Sequence, residues 1–238
     1  MTDTHEEAEG RPKGGLGRST AVFSFWTAVS RVAGLIREVV AAALFGTQGA
    51  INAFVIAFQV PNLLRSLVAD SAISAAFVPI YTQLQEQGRK QDARRLVGAL
   101  SSVIVLGLGA ITLVAILIAP WMMPLFAPGL DPSLQHYLVG LSQWMFPIVP
   151  LLGLTGIVAA VLQAEGRFTP TAFVPVLWNA VIIISLVVAT PFLPSDERIW
   201  VYAIGILLGT VAQLLYLLPY LRGLLSLIHI SEPTRPLY

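Results

Sequence analysis

Four stretches of this chain run for more than twenty residues without a charge: 97–119, 137–163, 170–193 and 199–221. An α-helix needs about 20 apolar residues to cross the hydrocarbon layer of a bilayer. Backbone in lipid must also satisfy its own hydrogen bonds, and a helix does so within one segment. Runs this long and this free of charge therefore read as membrane-crossing helices. Two earlier stretches, 20–45 and 50–81, are long enough but carry charges. The expected fold class is an all-α integral membrane protein with six transmembrane helices, approximately 20–45, 50–81, 97–119, 137–163, 170–193 and 199–221. Composition agrees: 11% of residues are charged, against about 25% in a soluble domain.

Several functions are disfavoured at once. The formal net charge is +1, which gives no hint of a nucleic-acid partner. There is no cysteine, so disulfides and thiolate metal sites are excluded. His5, His136 and His229 lie far apart and lack ligand spacing; neither a metal nor another cofactor is expected. Residues 1–19 are polar, Gly-rich and of mixed charge, and read as a disordered cytosolic tail. Glu6, Glu7 and Glu9 spoil the basic start that a cleaved signal peptide needs.

Lys and Arg set the orientation. Arg11, Lys13, Arg18, Arg89, Lys90, Arg94, Arg95, Arg167 and Arg222 fall on one side of the six spans; only Arg198 falls on the other. Nine against one predicts a cytosolic N-terminus and cytosolic even-numbered loops.

Three further arginines, Arg31, Arg37 and Arg65, lie inside spans. Each costs roughly 2.5–3.5 kcal/mol at a helix centre on insertion scales, so they are expected to face protein or a wet cavity. At about 100° per residue, Thr27, Arg31, Gly34 and Glu38 share one stripe of the first span, with Ser30 and Arg37 on a neighbouring stripe. Phe25, Val32, Leu35 and Val39 lie nearer the opposite side. On the second span Asn62, Ser66 and Asp70 are four apart, flanked by Arg65. Internal ion pairs, Arg31 with Glu38 and Arg65 with Asp70, would account for part of this charge. Three arginines against two acids leave a positive surplus, which suits an anionic ligand. Guanidinium groups grip phosphate through two parallel hydrogen bonds. Arg31, Arg37 and Arg65 are thus candidate ligands for a phosphorylated substrate, with Ser30, Glu38, Asn52, Asn62 and Asp70 as polar or ion-pair partners.

The strings "SRVAGLIREVVAAALFG" (30–46) and "NAFVIAFQVPNLLRSLVADSAISAAFVP" (52–79) resemble the first two helices of the lipid II flippase family, MurJ or MviN. "APWMMPLFAPG" (119–129) and "GRFTPTAFVPVLWN" (166–179) extend the likeness, which runs from about Trp26 to Arg222. The family belongs to the multidrug/oligosaccharidyl-lipid/polysaccharide exporter superfamily. The resemblance implies fourteen spans in two six-helix lobes around a cationic cavity, plus two helices forming a groove for the polyprenyl tail. It implies a transporter, not an enzyme: the undecaprenyl-pyrophosphate-linked peptidoglycan precursor is flipped across the bacterial cytoplasmic membrane by alternating access. The family's cavity arginines then correspond to Arg31, Arg37 and Arg65, and the acid of its Glu-Gly-Ala-Phe-Ser string to Asp70. The chain departs from the family at Asn52, often aspartate there, and at Ser66, often a second arginine.

Under this resemblance, residues 20–224 form one lobe and the second lobe of the same chain is a missing partner. Residues 225–235, "LSLIHISEPTR", match the conceptual translation of a transposase adaptor used in sequencing libraries. Residues 225–238 are therefore expected to be non-native. Two other functions fit less of the pattern. Export of another polyprenyl-pyrophosphate-linked oligosaccharide suits the charge equally. A membrane enzyme acting on lipid phosphates would usually require a catalytic His, paired acids or a metal site, and the spans hold no His.

Overall fold

A computed structural model describes residues 13–66 and 77–227, apart from the side chains of 13–20, Arg65 and 222–227. Its described residues form helices α1 (Lys13–Phe45), α2 (Ala50–Arg65), α3 (Val78–Glu86), α4 (Lys90–Val103), α5 (Gly109–Phe126), α6 (Pro132–Met145), α7 (Ile148–Ala164), α8 (Phe168–Ala189) and α9 (Arg198–Leu227). Four passages are long and apolar enough to cross a membrane: Lys90–Phe126, Pro132–Ala164, Phe168–Phe192 and Arg198–Leu221. They coincide with the four charge-free stretches of the sequence. The third span is longer than the expected 97–119 because the amphipathic α4 feeds directly into it.

Two boundaries differ from expectation. α1 begins at Lys13 and so includes part of the stretch read as tail, because extending an existing helix adds one hydrogen bond per residue fixed. α9 likewise runs on to Leu227, past the expected boundary at 224. The second span, expected as one stretch over 50–81, is helical over α2 and again over α3; what lies between is outside the described residues.

Prolines shape these spans unevenly. At Pro147 the fourth span breaks between α6 and α7. Pro61 and Pro175 sit within unbroken helices, while Pro150 falls in the first turn of α7, where a missing N–H costs no helical bond. In α5, Pro120 cannot donate to the carbonyl of Ile116. Gln143 of α6 donates to that oxygen instead, at 3.0 Å. Between α4 and α5 the chain makes a π-helical turn, Ile104–Leu108, which packs on Gly153 of α7. A Cβ there would lie 3.0 Å from Ile104 and 3.1 Å from Leu108.

α1 lies along α8, α8 along α9, and α9 along α7, while α2 packs on α6 and α7. The first two helices are thus held by different neighbours. Their adjoining ends meet at an aromatic stack in which Tyr202 of α9 lies 4.1 Å from Phe54 and 5.9 Å from Phe45, centroid to centroid. Phe25, Val32, Leu35 and Val39 of α1 are exposed, as lipid-facing residues would be.

Candidate functional site

Because α1 and α2 follow different supports, a cavity of about 450 Å³ opens beside their connecting turn. It is lined by Arg37, Glu38 and Ala41 of α1, Thr47 of the turn, Asn52, Phe54 and Phe58 of α2, and Tyr202 and Ile206 of α9. The helical repeat explains α1's contribution. Trp26, Ser30, Ala33, Gly34, Arg37, Ala41 and Leu44 recur at three or four residues, and all are at least partly buried. This stripe faces the bundle, and Arg37 is its one charged residue.

Arg37 is held on two sides. Its Nη2 donates to Glu38, its sequence neighbour. Its guanidinium carbon lies 5.0 Å from the centroid of the Trp178 indole on α8, a cation–π contact. The side chain is 17% exposed, against 62% for Glu38. Nε of Arg37 is buried and donates to no acceptor among the described residues. The site therefore presents a desolvated, positioned cation beside a cavity with an amide (Asn52), a hydroxyl (Thr47) and an aromatic floor.

The structure gathers some of the expected residues and separates others. Arg37, Glu38 and Asn52 share the cavity. Ser30 and Arg31 lie on α1 outside its lining. Arg31 is exposed, and among the described residues Glu38 is paired with Arg37 rather than with Arg31. Asn62 lies on the exposed side of α2, also outside the cavity. The side chain of Arg65 and the whole of Asp70 are outside the described residues, so their expected pairing is too.

Sequence reasoning missed Trp178, Tyr202 and Thr210. Thr210 of α9 is fully buried and accepts from Trp178 Nε1 at 3.3 Å while donating to the carbonyl of Ile206 at 2.9 Å. The one local signal was an indole, with its obligatory donor, inside an apolar span. A second polar cluster joins α3 to α7. Tyr81 Oη donates to Glu165 Oε1 at 2.8 Å, and Gln85 Nε2 donates to the same carboxylate oxygen. Lys90 and Arg94 of α4 line a neighbouring cavity of about 390 Å³.

Comparison with known proteins gives a single answer. A family model described as "Lipid II flippase MurJ" matches residues 41–234. That match starts downstream of Arg31 and Arg37 and runs on past Leu224. The lipid II flippase MurJ of Burkholderia cenocepacia is 36% identical over 211 residues, covering 87% of this chain and 40% of its own length. The probable lipid II flippase MurJ of Treponema pallidum is 33% identical over 222 residues, 90% of this chain and 41% of its own. A solved structure of lipid II flippase MurJ in an inward closed conformation superposes with a TM-score of 0.67 at 27% identity, over 84% of this chain and 41% of that one. The chain thus spans about two-fifths of the length of the relatives it matches. A multi-pass helical membrane protein with this sequence and this superposition belongs to the lipid II flippase MurJ family.

Proposed function

We propose that this chain supplies one lobe of a lipid II flippase, carrying an undecaprenyl-pyrophosphate-linked peptidoglycan precursor across the bacterial cytoplasmic membrane, and that Arg37 contacts the pyrophosphate. The observation that carries this reading is the partly buried guanidinium of Arg37 at the edge of the cavity between α1, α2 and α9. A cation with a buried donor, beside a cavity that also presents the Asn52 amide and the Thr47 hydroxyl, suits a phosphate group, and the chemistry is transport with no bond broken. Arg31, exposed on α1, and Arg65, at the end of α2, are proposed to face the same substrate across the space that a second lobe would close. The excess of Lys and Arg in the even-numbered loops supports a cytosolic N-terminus.

Binding of a polyprenyl pyrophosphate tests the reading. Arg31, Arg37 and Arg65 are each replaced by alanine and then by lysine. Affinity is expected to fall in both series, since lysine restores charge but not the bidentate fork. Unchanged affinity in all six variants overturns it. Other polyprenyl-pyrophosphate-linked sugars suit the same charge, and competition between head groups separates them from lipid II.

A further inference from the structure

Arg37 is connected to the bundle through α8 and α9 as well as through its own helix. Its guanidinium rests on the indole of Trp178, 5.0 Å to the ring centroid. The indole is fixed from behind: Nε1 donates to Thr210 Oγ1 on α9, and the ring packs against Gly209. A Cβ at Gly209 would come within 2.9 Å of Trp178 Cδ1 and 3.2 Å of its carbonyl oxygen. Trp178 itself does not line the cavity. Its one polar donor points away to α9, which leaves a π-face for the cation.

We propose that Trp178 is a positioning residue for Arg37, holding the guanidinium at the cavity edge with its donors turned toward a phosphate, and that Gly209 and Thr210 set the plane of the indole. The inference rests on the reading that Arg37 binds pyrophosphate. A free arginine side chain has four rotatable bonds, and Glu38, more exposed and adjacent in sequence, would draw the guanidinium toward solvent. A ring face against the guanidinium restricts it without neutralising it, and it takes none of the donors a phosphate would use. A second carboxylate in the same place would consume two donors and cancel the charge.

The test is binding of farnesyl pyrophosphate, with farnesol as the uncharged comparator, to the 238-residue chain in detergent micelles, read by titration calorimetry. Trp178→Leu is expected to weaken farnesyl pyrophosphate binding by about three- to thirtyfold, the range spanned by cation–π contacts, and to leave farnesol unchanged. Trp178→Phe retains an aromatic face and is expected to stay within about threefold of the parent. In an Arg37→Ala background, Trp178→Leu is expected to cause no further loss. Thr210→Val, which keeps the side chain's shape but removes the acceptor, is expected to give a smaller loss of the same selectivity. If Arg37→Ala weakens binding and neither Trp178→Leu nor Thr210→Val does, the positioning role falls while the pyrophosphate reading stands. If Arg37→Ala has no effect, the positioning role falls together with the contact between Arg37 and pyrophosphate. A Trp178→Leu loss that persists without Arg37, or extends equally to farnesol, marks a structural residue and overturns the proposal.

Discussion

Gly88 and Gly166 sit at φ of 72° and 75°, a left-handed backbone that costs other residues roughly 1–2 kcal/mol. Each follows a helix end in the same way. The N–H of Arg89 returns to the carbonyl of Leu84, and that of Arg167 to Leu162, while the glycines bond to Gln85 and Gln163. These are Schellman closures, the reason each turn is so short. Replacing either glycine by alanine is expected to lower stability by about 1 kcal/mol, seen as an earlier thermal transition in detergent. Asp131 caps α6 by accepting from the N–H and hydroxyl of Ser133, at 2.9 and 2.8 Å. Those bonds hold its carboxyl below the ordinary value of 3.8. A depressed carboxylate contributes above its unfolded pKa, and the contribution is lost as pH falls through the folded one. Protection of the first turn of α6 against hydrogen exchange should therefore be level from pH 8 to 5, after correction for intrinsic rates, and decline only below 3.8. Protection that fell near neutrality would point to a different cap.

Among the helices, the bond from Gln143 to Ile116 serves an oxygen that Pro120 leaves without its helical donor. Gln143→Leu should strand that carbonyl in an apolar setting and destabilise the α5–α6 pair by about 1–2 kcal/mol. Thermal unfolding in detergent checks this, with Gln143→Met as a variant that keeps the length but removes the donor. The elements themselves were largely legible in the sequence, because an unbroken uncharged run admits few structures besides a membrane helix. The π-helical turn at Ile104–Leu108 was not legible. It packs against Gly153, some fifty residues away, where the absent side chain makes room for two bulky ones. Nor did composition distinguish Pro147, which breaks a span, from Pro61 and Pro175, which do not. The site was half legible. Periodicity placed Ser30 and Arg37 on a common stripe, but it grouped Arg31 with Glu38, whereas the carboxylate turned to the adjacent Arg37. The contact between Arg37 and Trp178 spans 141 positions and leaves no local pattern.

For the whole molecule, the first two helices lean on separate supports, and among the described residues the cavity beside them is bounded by α1, α2, their connecting turn and α9. The 238 residues alone are not expected to sustain growth of a cell depleted of its flippase; growth equal to that with a full-length relative would refute the one-lobe reading. The two Schellman turns have a consequence for biosynthesis. Each leaves only about three residues between the helix before it and the helix after it, too few to let one span settle while its partner waits. The spans joined at Gly88, and those joined at Gly166, should therefore enter the bilayer as paired hairpins. Orientation is then decided once per pair. On this reading the cluster Arg89, Lys90, Arg94 and Arg95 is expected to govern the first hairpin, with the lone Arg167 of the second backed by its neighbour. Arg167→Glu should leave topology intact, whereas reversing Arg89 together with Lys90, Arg94 and Arg95 of α4 should disturb it. The chain lacks cysteine, so single cysteines placed in each loop report the outcome directly.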